Sequence, residues 1–181
     1  FDVPQPIKAA AIRAIEQGHG HYIDPRGLPA LRDEIVRFEK QHHGRLVQPD
    51  EIVVTAGSFA GLSLATRAIL EPGDEMLVIE PCWGPYRSMA TLVGAVPVGV
   101  AMPDVEGRFE IDANRLANAV TPRTKALVLN SPWNPTGRVL QVNELHALAE
   151  VAEHYDLWII ADEVYSELVF KGFQHIPIAG L

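Results

Sequence analysis

Two short apolar runs, Ala126-Leu127-Val128-Leu129 and Leu157-Trp158-Ile159-Ile160, flank one long amphipathic segment. Runs that short and that continuously apolar read as strands buried on both faces. Between them, over about residues 142–155, Leu145, Leu148, Ala149 and Ala152 recur at helical spacing. Strand, helix and strand in that order imply parallel strands in a sheet covered on both sides. The alternation continues toward the N-terminus. A helix is expected over 6–17, with Ile7, Ala11, Ile12 and Ile15 on one side and Gly18 as its stop. A second is expected over 29–43, from the spacing of Leu28, Leu31, Ile35 and Phe38 and from Gly44 beyond the last turn. Strands are expected at 51–55, 75–79 and Val96–Ala101, with helices at 59–70 and 85–93. Asp112 is placed to cap a short helix ending at Ala119. The fold class is therefore α/β, a mostly parallel sheet with helices on both faces.

Composition narrows the function classes. The net charge of −8 argues against a nucleic-acid binder, which needs a basic face. A single cysteine, Cys82, leaves no internal disulfide and no Cys-rich zinc site, and a reducing compartment is the simplest setting. His19, His21, His42 and His43 do not make a convincing metal site. No apolar run approaches the ~20 residues of a membrane span, and the N-terminus carries no signal-peptide pattern. A cytoplasmic protein without membrane or nucleic-acid partners is expected. The opening Phe1-Asp2-Val3-Pro4 reads as mid-protein sequence.

Chemistry gathers where strands end, which is where open α/β sheets bind ligands. Asp162 directly follows the second apolar run, and burying its carboxylate there is costly without a partner. For an isolated Asp, a helix cap or an ion pair is the plainer explanation. Tyr165, three residues on, is either a residue packed under a loop or a phenol aimed at a ligand. Asn134 stands in Trp133-Asn134-Pro135-Thr136-Gly137, a turn on any reading, and its amide can donate and accept at once. Gly57-Ser58-Phe59 joins a strand to a helix whose N-terminus favours an anion, a weak signal by itself. Trp83, after Pro81-Cys82, is either core or an aromatic platform. Tyr22 lies in a polar, turn-rich loop. Arg26, Arg87 and Arg138 suit an acidic substrate and simple solvation equally well.

Taken in order, these positions resemble the class I/II aminotransferases of the aspartate-aminotransferase superfamily. The resemblance runs from about Phe1 to the end of the chain. Asn134-Pro135-Thr136-Gly137 and Asp162-Glu163-Val164-Tyr165 carry it, with Tyr22 and Gly27-Leu28-Pro29-Ala30-Leu31-Arg32 upstream. It implies pyridoxal 5'-phosphate as cofactor, and amino-group transfer between an amino acid and a 2-oxo acid by a full-length, homodimeric parent. Residues 1–30 would be a lead-in helix and loop. Residues 31–181 would be the N-terminal portion of the cofactor-binding large domain, truncated at its C-terminus and without the small domain. By resemblance Asp162 pairs with the pyridinium nitrogen, and Tyr165 and Asn134 hold the ring hydroxyl. Trp83 stacks on the ring, and the backbone amides of Ser58 and Phe59 take the phosphate. Tyr22 reaches the phosphate bound by the neighbouring subunit. Asn134 and Trp83 also face the substrate.

One departure matters. The family's Schiff-base lysine has no counterpart: Lys8, Lys40 and Lys125 precede Asp162, and Lys171 stands in the turn-like Phe170-Lys171-Gly172-Phe173. The expectation is a cofactor cradle with no catalytic residue of its own, inactive in isolation. Two other activities share the cradle: a β-lyase of the same fold, and an aminotransferase-like effector domain of a transcriptional regulator.

Overall fold

The computed structural model describes residues 2–181. Its chain order is α1 (Gln5–Glu16), α2 (Pro29–Phe38), α3 (Ser58–Ile69), β1 (Glu75–Glu80), α4 (Pro85–Leu92) and β2 (Val96–Ala101). There follow β3 (Asp104–Val105), β4 (Arg108–Phe109), α5 (Ala113–Ala119), β5 (Thr124–Asn130), α6 (Val142–His154) and β6 (Trp158–Asp162). No helix is long and apolar enough to cross a membrane among the described residues.

The main sheet has the order β2-β1-β5-β6, and every neighbouring pair is parallel. Strand alternation divides its side chains between two layers. Leu77, Ile79, Leu127 and Leu129 pack on one face with Leu116 of α5 and Leu145 and Leu148 of α6. Met76, Val78, Ala126, Val128 and Ile160 pack on the other with Leu62 of α3 and Tyr86 and Met89 of α4. The expected fold class holds, because central strands that are apolar throughout have no face to give to water. The cap expected at Asp112 is present, and α6 carries one that was not expected. The Asp112 carboxylate accepts the N–H groups of Asn114 and Arg115 at 3.0 and 3.2 Å. At the start of α6, the Glu144 carboxylate accepts the Gln141 N–H at 3.0 Å.

Two expectations are corrected, and one element is added. Residues 52–55 form no strand: Pro49–Glu51 is a 3₁₀ turn, and no strand lies beside the extended stretch that follows. Ile52-Val53-Val54-Thr55 has the β-branched composition of a strand, but composition does not supply a partner. The Val54 N–H reaches a lone carbonyl, that of Arg26, at 2.9 Å. The second helix is α-helical to Phe38 and then widens into a π turn at Glu39–His43, closed by Gly44 at φ 68°. A small hairpin, β3–β4, went unforeseen; its turn residues Glu106 and Gly107 both have positive φ, 54° and 82°.

Gly27 fixes where the lead-in loop crosses the body. Its φ is +106°, and an added Cβ would lie 2.6 Å from the Val54 side chain. Gly27→Ala is therefore expected to cost about 2–4 kcal/mol, from backbone strain and from overpacking. Urea unfolding measures it. A loss under about 0.5 kcal/mol would show that the loop can move away.

Candidate functional site

The register Asn130↔Asp162 between β5 and β6 sets two polar residues level at the C-terminal ends of adjacent buried strands. Asp162 is only 6 % exposed. Its Oδ2 accepts a hydrogen bond from the Tyr86 hydroxyl at 2.7 Å, and its Oδ1 accepts the Val164 N–H at 3.1 Å. Both donors are neutral. Among the described residues no Lys, Arg or His forms an ion pair with it. A buried carboxylate with two neutral donors and no cation is costly, and it suits a positively charged group arriving from outside the chain.

Tyr86 was not singled out in the sequence. It lies in the first turn of α4, three residues after Trp83. Burial, and then its bond to Asp162, pushes its phenol far up from the ordinary tyrosine value, so it remains a donor. Trp83 stands edge-on to Tyr86 at 5.3 Å and edge-on to Phe59 at 5.8 Å. Phe59 is in the first turn of α3. That helix begins after Gly57, at φ 84°, with no side-chain cap. Its opening N–H groups are left for water or an anion.

Asn130 is the other residue missed. Its Nδ2 donates to the Asp162 carbonyl at 2.8 Å, and its Oδ1 accepts the Asn134 N–H at 2.7 Å. One side-chain amide thus ties the Asn134 loop to the end of β6. The loop closes on itself where the Trp133 N–H donates to the Arg138 carbonyl at 2.7 Å. Asn134 and Tyr165 line one cleft with Pro132, Trp133 and Phe170.

The structure therefore gathers Phe59, Trp83, Asn134, Asp162 and Tyr165, with the Ser58 end of α3, along the C-terminal edge of the sheet. Tyr22 is not among them: it is fully exposed on the loop between α1 and α2. No lysine joins the group. Lys125 sits near the opposite end of β5, Lys40 is on the π turn, Lys171 is exposed, and Lys8 pairs with Asp2. The three arginines are neither free nor simply solvated. Arg26 pairs with Asp24 and Asp50, Arg87 with Glu80, and Arg138 with Glu144. Burial pushes the Cys82 thiol up from its ordinary value, away from a nucleophile's role.

A parallel sheet with these motifs at its strand ends is the α/β fold of an aminotransferase. The chain belongs to the aminotransferases of class I and II: the model of that family matches residues 1–181. It is 42 % identical to the probable aspartate/prephenate aminotransferase of Thermus aquaticus, over 98 % of this chain and 46 % of that protein. It is 41 % identical to the arginine–pyruvate transaminase of Pseudomonas aeruginosa, over all of this chain and 46 % of that one. The solved N-succinyldiaminopimelate aminotransferase of Mycobacterium tuberculosis superposes with a TM-score of 0.95 at 40 % identity, covering 99 % of this chain and 47 % of the other. The chain spans about half the length of the curated relatives it matches.

Proposed function

We propose that the protein carrying this chain transfers an amino group between an amino acid and a 2-oxo acid, using pyridoxal 5'-phosphate held at the sheet's C-terminal edge. The observation that carries the reading is Asp162, buried at the end of β6 with neutral donors on both oxygens and no paired cation among the described residues. When bound, the cofactor supplies a protonated ring that draws off the charge developing at the substrate's α-carbon. Asp162 keeps the proton on the ring nitrogen, because its charge has no other partner. Tyr86 and the Val164 N–H hold the carboxylate in place. Trp83, already fixed edge-on between Phe59 and Tyr86, offers its face to the ring. Asn134 and Tyr165, across their common cleft, hold the ring oxygen. The uncapped amides of Ser58 and Phe59 take the phosphate dianion. Tyr22, exposed on a loop pinned by Arg26 and Arg32 to Asp24, suits a phosphate contact in a second copy of the chain. In this reading residues 1–30 are a lead-in and 31–181 belong to the cofactor domain.

The test is to titrate the complete protein with pyridoxal phosphate by absorbance, then to follow amino-acid formation across a panel of amino-acid and 2-oxo-acid pairs. Saturable binding and a new amino acid in equal amount to the donor consumed are expected. Binding without transfer would point to a non-enzymatic use of the cradle, and no saturable binding would remove the proposal altogether.

A further inference from the structure

The turn after β6 carries Tyr165 between two glutamates, and each faces histidines from another part of the chain. Glu163 Oε1 accepts the Ile178 N–H at 3.1 Å, and its Oε2 lies 3.7 Å from His175 Nε2. Glu167 Oε1 lies 3.8 Å from His43 Nε2, and its Oε2 lies 4.0 Å from His42 Nδ1. The two groups meet, since the His43 and His175 rings stand edge to face at 5.7 Å. Phe38 closes the far side, stacked on His42 at 4.3 Å. Glu39 of the π turn pairs with Arg45, just beyond it, at 3.1 Å, and Lys40 of the same turn is exposed.

His175 is the informative member. Its side chain is 2 % exposed, and neither ring nitrogen has a hydrogen-bond partner among the described residues. A buried imidazole in that state is costly. Glu163 is the acidic group that faces it, at a distance longer than a hydrogen bond. Ile178, three residues on, is in the core beside α6. The 175–178 segment is thus anchored, and through Glu163 it anchors the start of the Tyr165 turn. The Ser166 N–H donates to the Glu163 carbonyl at 2.9 Å, and the Leu168 N–H to the Tyr165 carbonyl at 2.8 Å. The Tyr165 hydroxyl has no hydrogen bond of its own among the described residues. Its direction therefore follows the backbone of this turn, which Glu163 holds at one end through the Ile178 N–H and which Glu167 flanks at the other, facing His42 and His43.

We propose that Glu163 with His175, and Glu167 with His43, form a positioning clamp that aims Tyr165 into the cleft it shares with Asn134. The role rests on the reading that Asn134 and Tyr165 hold the cofactor's ring oxygen. It is tested in the complete protein with Glu163→Gln and Glu167→Gln, each made with Tyr165 present and with Tyr165→Phe. Two quantities are read: amide hydrogen exchange across residues 163–168, and affinity for pyridoxal phosphate. Both variants should raise exchange there about tenfold or more. With Tyr165 present they should weaken cofactor affinity about 3- to 30-fold, and with Tyr165→Phe they should weaken it no further. A residue that only supports the fold would weaken affinity equally in both backgrounds. Equal losses, or unchanged exchange, would overturn the clamp. If the unaltered protein binds no pyridoxal phosphate, the proposed function fails while the exchange data still decide whether the turn is clamped. Glu167 is 55 % exposed, so its variant remains informative should Glu163→Gln not fold.

Discussion

Asp162→Asn is expected to make the cofactor-free protein more stable while removing most of its affinity for pyridoxal phosphate. The residue is 6 % exposed, and among the described residues its carboxylate receives only the Tyr86 hydroxyl and the Val164 N–H. Two neutral hydrogen bonds do not repay the desolvation of a charge. An amide of the same shape keeps one acceptor oxygen, and its new N–H₂ can donate to the Tyr86 oxygen. The gain should be about 0.5–2 kcal/mol in urea unfolding, the range of ordinary stabilising substitutions. Function moves the other way. Without the negative charge, the proton on the ring nitrogen loses its partner, and affinity should fall at least about tenfold, or about 1.4 kcal/mol. The rate of amino-group transfer should fall about 10²–10³-fold or more, as it does when one preorganised electrostatic group is lost. Tyr86→Phe should act in the same direction but less, because it removes a neutral donor and leaves the charge. A destabilised Asp162→Asn with unchanged affinity would make Asp162 a structural acceptor and nothing more.

The parts of this fold that could be read from sequence are those whose reasons are local. The apolar run of β5 is buried on both faces as its composition implies, whereas β6 is the edge strand and leaves Trp158 65 % exposed, because which strand ends the sheet is decided by the rest of the fold. α6 announces itself by its stripe, and α5 by Asp112. Residues 52–55 were misread because a strand is a partnership, and the partner is supplied by the rest of the fold. Site residues divide in the same way. Asp162 stood out as a charge directly after an apolar run, and Asn134 as an amide in the turn that follows one. Tyr86 did not, since its partner is 76 residues away and its own helix gives no hint of it. Asn130 reads as the last residue of a strand until β6 lies beside it and its amide ties the Asn134 loop to the end of that strand. Arg138 suited an acidic substrate or simple solvation equally, yet both it and Glu144 are about nine-tenths buried as a pair.

Trp133 should be the most expensive single truncation near the site, and it links the core to the chemistry. Its ring is 3 % exposed and packs in the core with Leu129 and Leu140, tilted against Phe109 at 6.3 Å. Its Nε1–H donates to the Pro81 carbonyl at 2.7 Å, joining the loop after β5 to the loop after β1. Its own carbonyl accepts the Gly137 N–H at 2.7 Å, within the closure that displays Asn134. Trp133→Ala is expected to cost about 3–5 kcal/mol, from lost burial and from the cavity left behind. Trp133→Phe retains most of the packing and should cost about 1–3 kcal/mol, chiefly because the Pro81 carbonyl loses its donor. The two variants therefore separate packing from the tether. If the tether sets the spacing of the loops, Trp133→Phe should weaken pyridoxal phosphate affinity by more than its stability loss accounts for. Trp83 lies two residues beyond Pro81 and Asn134 one beyond Trp133, so slack between the loops moves ring platform and amide apart together. Equal unfolding costs for Phe and Ala would instead place nearly all of the residue's contribution in the hydrogen bond.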